Sequence, residues 1–256
     1  MSVPPRVIPV LQILDGYLVK TTKFAKPTYI GDPINAVKIF NDKQVDELIL
    51  CDIGAVKTGT APDLDLIESI ASEAFMPVGY AGGIRSVDDA RNVVQLGIEK
   101  VVLNTMLHTE PDIVRGIVDL LGGQSVVGSV DTRKNILGKR LAYVDSGTRS
   151  TDMAPVPFAE MAVGLGIGEV LLTSIDREGT RAGYDLDLIG EVASAVDVPL
   201  IALGGASENS DFAKAVSAGA SAVAAGSRFV FHGKHNAVLI TYPSPAVIRS
   251  LGDELR

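Results

Sequence analysis

Apolar residues fall into short runs of strand length, separated by segments in which they recur at three- and four-residue spacing. The runs lie near residues 7–14, 47–53, 77–81, 100–104, 124–131, 169–174, 198–203 and 221–225. Runs of this kind, alternating with helical segments, predict parallel strands covered on both faces. Helix starts are marked by Asp32 with Pro33 behind it, and by Asp63, Ser86, Thr109, Asp185 and Ser207, all residue types that cap a first turn. Two segments interrupt the alternation. Residues 17–31, with Lys20, Lys23 and Lys26, are expected to form a loop longer than a βα connection needs. Residues 132–155 are expected to form a second long loop with a small hairpin around 140–144. Beyond Ser227 the pattern loosens. A short helix to His232, a stop at Gly233 and a closing helix over 243–255 are expected, and residues 235–242 receive no assignment.

One stretch appears twice. Residues 63–83 read DLDLIESIASEAFMPVGYAGG and residues 185–205 read DLDLIGEVASAVDVPLIALGG, an offset of about 122 residues with about half the positions identical. Each copy is a capped helix, a proline, a short apolar strand and a glycine pair. The repeat predicts two half-barrels, about 1–122 and 123–256, in one (β/α)8 TIM barrel. The chain has 256 residues and such barrels take about 250.

Composition narrows the function. With 46% hydrophobic and 5% aromatic residues, the apolar mass is aliphatic, as parallel strands require. A net charge of −8 and a pI near 4.9 argue against nucleic-acid and anionic-membrane partners, which would be repelled at long range. The single cysteine, Cys51, has no internal disulfide partner and lies in an apolar run, so a buried thiol and a reducing cytoplasm are expected. No signal peptide and no long apolar span is readable. His108, His232 and His235 lack metal-ligand spacing, so neither a metal nor another cofactor is expected.

Candidate chemistry belongs at the carboxyl ends of the strands. The glycine pairs Gly82-Gly83 and Gly204-Gly205, followed one strand later by Asn104-Thr105 and Gly226-Ser227, suggest two anion cradles of backbone N–H groups and a hydroxyl. Tight turns without a ligand are the alternative. Asp131 ends an apolar strand and suits a general acid/base; an ion pair to a loop lysine is the alternative. Its counterpart in the other half is Gln12, which cannot exchange a proton. Asp176 occupies a further strand-end position. At the opposite ends lie Arg6, Glu47, Lys100 and Glu169, which spacing alone leaves as rim ion pairs.

Together these residues resemble the cyclase subunit family of imidazole glycerol phosphate synthase, over about residues 6–231. The resemblance is carried by LTSIDREGTRAGYD at 172–185, GDP at 31–33, DELILCDI at 46–53 and the turns at Gly82-Gly83-Ile84 and Gly204-Gly205-Ala206. It implies a TIM barrel with two phosphate sites, to which Asp176 and Gly179 would add. Ammonia from a glutaminase partner would enter at the barrel floor and react at the mouth with a bis-phosphorylated ribulose derivative. Arg6, Glu47, Lys100 and Glu169 then align with a charged ammonia gate, Lys20 with a lysine that closes over substrate, and Asp131 with one of two catalytic aspartates.

Gln12 stands where the family has the other aspartate, and Ala81 where it has a third glycine. Gln12, the ending GSRFVFHGKHNAVLITYPS and residues 20–49 look more like a paralogous branch from surface-polysaccharide (lipopolysaccharide) gene clusters. That likeness implies a glutaminase-linked subunit supplying ammonia for acetamidino groups on phosphorylated or nucleotide-linked sugars, with a separate ATP-using sugar amidotransferase. An authentic cyclase of histidine biosynthesis and a non-catalytic ammonia-conducting scaffold are the alternatives.

Overall fold

The computed structural model describes residues 4–233 and 235–253. Eight strands, β1 (Arg6–Leu14), β2 (Leu48–Asp52), β3 (Val78–Ala81), β4 (Lys100–Leu103), β5 (Val126–Lys134), β6 (Glu169–Ser174), β7 (Leu200–Leu203) and β8 (Ala222–Ala225), pair in parallel in chain order. The sheet closes where β8 pairs with β1, placing Arg6 beside Ala222 and Ile8 beside Ala224. The chain therefore folds as a (β/α)8 TIM barrel.

Side chains on a strand alternate between faces, and in a closed barrel one parity points inward. Ile8, Val10, Ile49, Val102, Val127 and Leu171 meet inside with Ile201, Leu203, Ala222 and Ala224. The other parity, including Val7, Leu50, Tyr80, Leu103, Val130 and Leu172, packs against the surrounding helices. An unbroken apolar run is thus split between two cores, which is why the strands carry no polar face.

Asp32, Asp63, Ser86 and Asp185 cap their helices as expected, each accepting a backbone N–H of the first turn. Two starts differ. The helix Pro111–Leu121 begins after Glu110 rather than at Thr109, because Thr109 ends the short helix Thr105–Thr109 in front of it. Helix Asn209–Ser217 is capped by Glu208 rather than Ser207, through a reciprocal box with Asp211.

Residues 17–31 are not a loop. Tyr17–Thr22 and Ala25–Gly31 form an antiparallel hairpin that extends β1 beyond the mouth, with Gln12 opposite Val19. Its turn, Lys23-Phe24, takes positive φ at both residues without a glycine or asparagine, so the usual hairpin signal is missing. β5 likewise runs on and pairs antiparallel with Arg140–Val144, which pairs in turn with Arg149–Ser150. Each half thus extends its first strand.

The ending differs too. After helix Ser227–Val230, Phe231–His232 is a strand paired with Ala237–Val238, not a continuing helix. Tyr242 then donates to the Val7 carbonyl at 2.7 Å and lies 3.1 Å from the Asp46 carboxylate, tying this tail to the barrel floor. A closing helix covers Pro245–Asp253; the part of that expectation reaching Leu255 lies outside the described residues. Among the described residues no helix is long and apolar enough to cross a membrane.

Candidate functional site

Inward parity places polar groups at both ends of the apolar lumen. At the floor, Arg6 bonds the carboxylates of Glu47 and Glu169. Lys100 Nζ bonds the other oxygens of the same two carboxylates at 2.9 Å each. The four side chains form a closed ring in which cation and carboxylate alternate, contributed by β1, β4, β6 and the residue before β2. Glu47 and Glu169 are 3% and 5% exposed, and both oxygens of each carboxylate are bonded by a cation. Burial works against the Arg6 charge, but hydrogen bonds and the charges of Glu169 and Glu47 hold its pKa above the ordinary value.

The mouth lies six residues further along β1, about 20 Å at the usual strand rise. A cavity of about 620 Å³ opens there, bordered by Gln12, Cys51, Asp131, Thr173 and Glu178 at its inner end. Gln12 Oε1 accepts the backbone N–H of Thr21 at 2.8 Å and its hydroxyl at 3.0 Å. Because the Thr21 N–H can only donate, the oxygen of Gln12 must face it, leaving the amide NH₂ as the group Gln12 can offer a ligand. Asp131 accepts the Ser129 hydroxyl at 3.0 Å. Burial raises its carboxyl to about 6, the nearby Glu178 charge adds to the shift, and the hydroxyls of Ser129 and Thr173 pull the other way. A carboxyl near 6 can both give and take a proton around neutrality. Burial, with Asp131 nearby, pushes the Cys51 thiol up to about 12, so it stays protonated.

The two glycine pairs occupy equivalent backbone positions. A Cβ at Gly82 would strike the Asp52 carbonyl, and one at Gly204 would lie 2.6 Å from the Ser174 carbonyl, both at positive φ. Crossing chain therefore already demands glycine at both places. Their surroundings differ. Gly82, Gly83, Asn104 and Thr105 border the cavity. Asn104 Nδ2 is committed to the carbonyls of Ser129 and Tyr143, and Thr105 Oγ1 accepts the Asp145 N–H at 3.0 Å. Gly204, Gly205, Gly226 and Ser227 are buried and do not border the cavity.

Lys20 lies over Gly226, where an added Cβ would come within 2.7 Å of its Cε. It is 4% exposed and bonds the carboxylate of Glu178, itself 5% exposed. Gly179 lies directly under the hairpin, where a Cβ would come within 2.6 Å of the Thr21 carbonyl. Asp176 is not gathered into the mouth. Its carboxylate accepts the Lys134 N–H at 2.8 Å and so braces the extension of β5. Glu178 is the residue that sequence reasoning missed, since a glutamate inside a turn reads as solvated surface. Its only signal was its place within the quoted motif at 172–185. Among the described residues no group of three or more His, Cys, Asp or Glu is placed to hold a metal ion.

Fold and site together define a TIM barrel whose polar groups gather at the two ends of an apolar lumen, ionic at the floor and hydrogen-bonding at the mouth. The chain belongs to the histidine biosynthesis protein family, whose sequence pattern matches residues 6–236. A Pseudomonas aeruginosa protein bearing the provisional name imidazole glycerol phosphate synthase subunit hisF2 is 48% identical over 239 residues, 93% of this chain and 95% of that one. A Vibrio vulnificus protein with the provisional name subunit hisF3 of the same synthase is 44% identical over 246 residues, 94% of each chain. Imidazole glycerol phosphate synthase subunit HisF of Endomicrobium trichonymphae is 39% identical over 224 residues, 88% of this chain and 86% of the relative.

Proposed function

We propose that the chain is a cyclase-like synthase subunit that takes ammonia from a glutaminase partner seated at the barrel floor and passes it to the mouth. There it would serve the formation of an acetamidino sugar for a surface glycan, with a phosphorylated or nucleotide-linked sugar as substrate and a separate ATP-using sugar amidotransferase as a further partner. The names of the relatives support a subunit of imidazole glycerol phosphate synthase type. The single observation that carries the finer reading is the pairing of a complete floor ring with a mouth whose second acid is replaced by Gln12, anchored through its oxygen to Thr21. In this reading Arg6, Glu47, Lys100 and Glu169 are the gate. Asp131 moves protons, Gln12 donates a hydrogen bond, and Gly82, Gly83, Asn104 and Thr105 border the substrate.

The test is turnover of the bis-phosphorylated ribulose derivative by the purified chain with ammonium salt. No turnover is expected, and a rate near that of an authentic cyclase would overturn the reading. A second reading, a cyclase of histidine biosynthesis, is favoured by one observation: Asp131 keeps a carboxyl at the border of the mouth cavity, hydrogen-bonded by Ser129.

A further inference from the structure

The extension of β5 ends in a tip whose residues 133–140 read RKNILGKR, four cations and no carboxylate in a chain of net charge −8. Asp131 borders the mouth cavity, so the tip, a few residues further along the same strand, stands beyond the mouth and away from the floor ring. Arg140 is paired with Asp185 and Glu191. Arg133 lies over the Tyr143 ring, and among the described residues neither it nor Lys134 or Lys139 pairs with a carboxylate. Between the two lysines, Ile136 and Leu137 are 102% and 87% exposed. They are held there by an ordered turn. Asn135 Oδ1 accepts the N–H of Leu137 at 2.9 Å and that of Lys139 at 3.0 Å. The Asn135 N–H donates to the Lys139 carbonyl, and the Gly138 N–H to the Asn135 carbonyl, both at 2.9 Å. Docking on this tip therefore need not order a loose loop first.

Two adjacent aliphatic side chains fixed in water gain by entering an apolar pocket, and the flanking cations gain by meeting carboxylates at its rim. Other occupants fit less well. A second copy meeting tip to tip would bring both sets of cations together, and a tip set on the acidic face of another copy would repeat without closing. A lipid surface would take up two side chains, less than the single fatty chain that alone anchors a protein only marginally, and the net charge opposes approach to an anionic bilayer. An acidic protein face answers both the charge and the apolar part.

We infer that the tip at residues 133–140 is the docking point of a protein partner at the mouth end, one that offers an apolar pocket for Ile136 and Leu137 rimmed by carboxylates for Lys134 and Lys139. That this partner is the ATP-using amidotransferase rests on the proposed function. It would be held where ammonia leaves the lumen, while the glutaminase occupies the floor. The two partners then bind opposite ends of the barrel and do not compete.

The experiment titrates the full chain with the purified ATP-using amidotransferase of the same organism, at low and at physiological salt, and separately with the glutaminase. The parent is expected to bind the amidotransferase, and less tightly as salt rises. Ile136→Ser combined with Leu137→Ser should raise the Kd at least about tenfold. Lys134→Glu combined with Lys139→Glu should raise it by a similar factor, most at low salt. Glutaminase affinity should stay within about twofold in both variants, since all four side chains are exposed and lie at the other end of the barrel. Equal amidotransferase affinity in parent and variants would overturn the inference and leave the ammonia-supplying reading standing. No binding by the parent would overturn it as well, as would self-association of the parent, or its binding to phosphatidylglycerol vesicles, that the variants lose. Failure of the ammonia-supplying reading shows separately, as a parent that does not bind the glutaminase, and the amidotransferase titration still decides the role of the tip.

Discussion

The side-chain oxygen of Gln12 accepts the backbone N–H of Thr21 at 2.8 Å, joining the mouth end of the first barrel strand to the hairpin that covers it. Both residues are buried, at 6% and 3% exposed. Gln12→Leu would leave the Thr21 N–H and hydroxyl without their acceptor. The expected cost is about 1–3 kcal/mol, that of an unsatisfied buried donor, read from urea unfolding. Gln12→Glu keeps an acceptor and should recover part of the loss. Equal stability of the Leu variant and the parent would show that the hairpin does not depend on this bond.

Asp131 makes stability depend on pH with a definite sign. Its carboxyl is raised from 3.8 to about 6, so between those values the folded state binds more protons than the unfolded chain. Ionising it in place therefore destabilises the fold above about pH 6, and the penalty fades as pH falls towards 4. Asp131→Asn removes the charge while an oxygen remains to accept the Ser129 hydroxyl. It should be more stable than the parent at pH 8 by about 3 kcal/mol, an upper bound from a two-unit shift, and close to the parent near pH 4. A difference that does not change with pH would exclude an ionisation-linked cost. In activity, the variant should abolish any pH dependence centred near 6.

Breaking the floor ring should cost more on one side than the other. Glu169→Leu leaves Arg6 and Lys100 sharing the single carboxylate of Glu47. The expected loss is near the lower end of the ~3–5 kcal/mol seen when a buried pair loses a partner, because Arg6 is one-third exposed and water screens it. Lys100→Met should cost less, since Arg6 still bridges both carboxylates. Chemical denaturation of the two variants gives the comparison, and a costlier Lys100→Met would contradict this account.

Cys51 offers a check on the mouth's electrostatics. With its thiol pushed up to about 12 it should react with a disulfide reagent at pH 8 about a thousandfold more slowly than a free thiol. Unfolding in urea should restore ordinary reactivity. Rapid labelling of the folded chain would mean that burial and the Asp131 charge do not hold the thiol neutral.

Much of the barrel was legible because one signal repeats. Each strand is an apolar run, and Asp63 and Asp185 cap equivalent helices at equivalent places. The inward parity of β1 brought Arg6 and Gln12 to opposite ends of the lumen, as their positions in the run required. The hairpin at residues 17–31 was hidden because Lys23 and Phe24 adopt a turn that glycine usually announces, and tertiary contacts with Glu178 and Gly147 hold it. The ion pair of Lys20 with Glu178 joins residues 158 apart in the chain. No local pattern encodes such a pair. Spacing alone favoured rim ion pairs for the floor charges, since closure of four of them into one ring depends on the barrel's own closure.

That ring has a further electrical consequence. Two positive and two negative charges alternating around a ring form a quadrupole, whose potentials oppose one another at its centre. A ring of like charges would draw in one sign of ion and repel the other, whereas this arrangement carries no net charge. An ion brought to the ring finds there no net charge of opposite sign to offset the loss of its water, because each cation is already matched by a carboxylate.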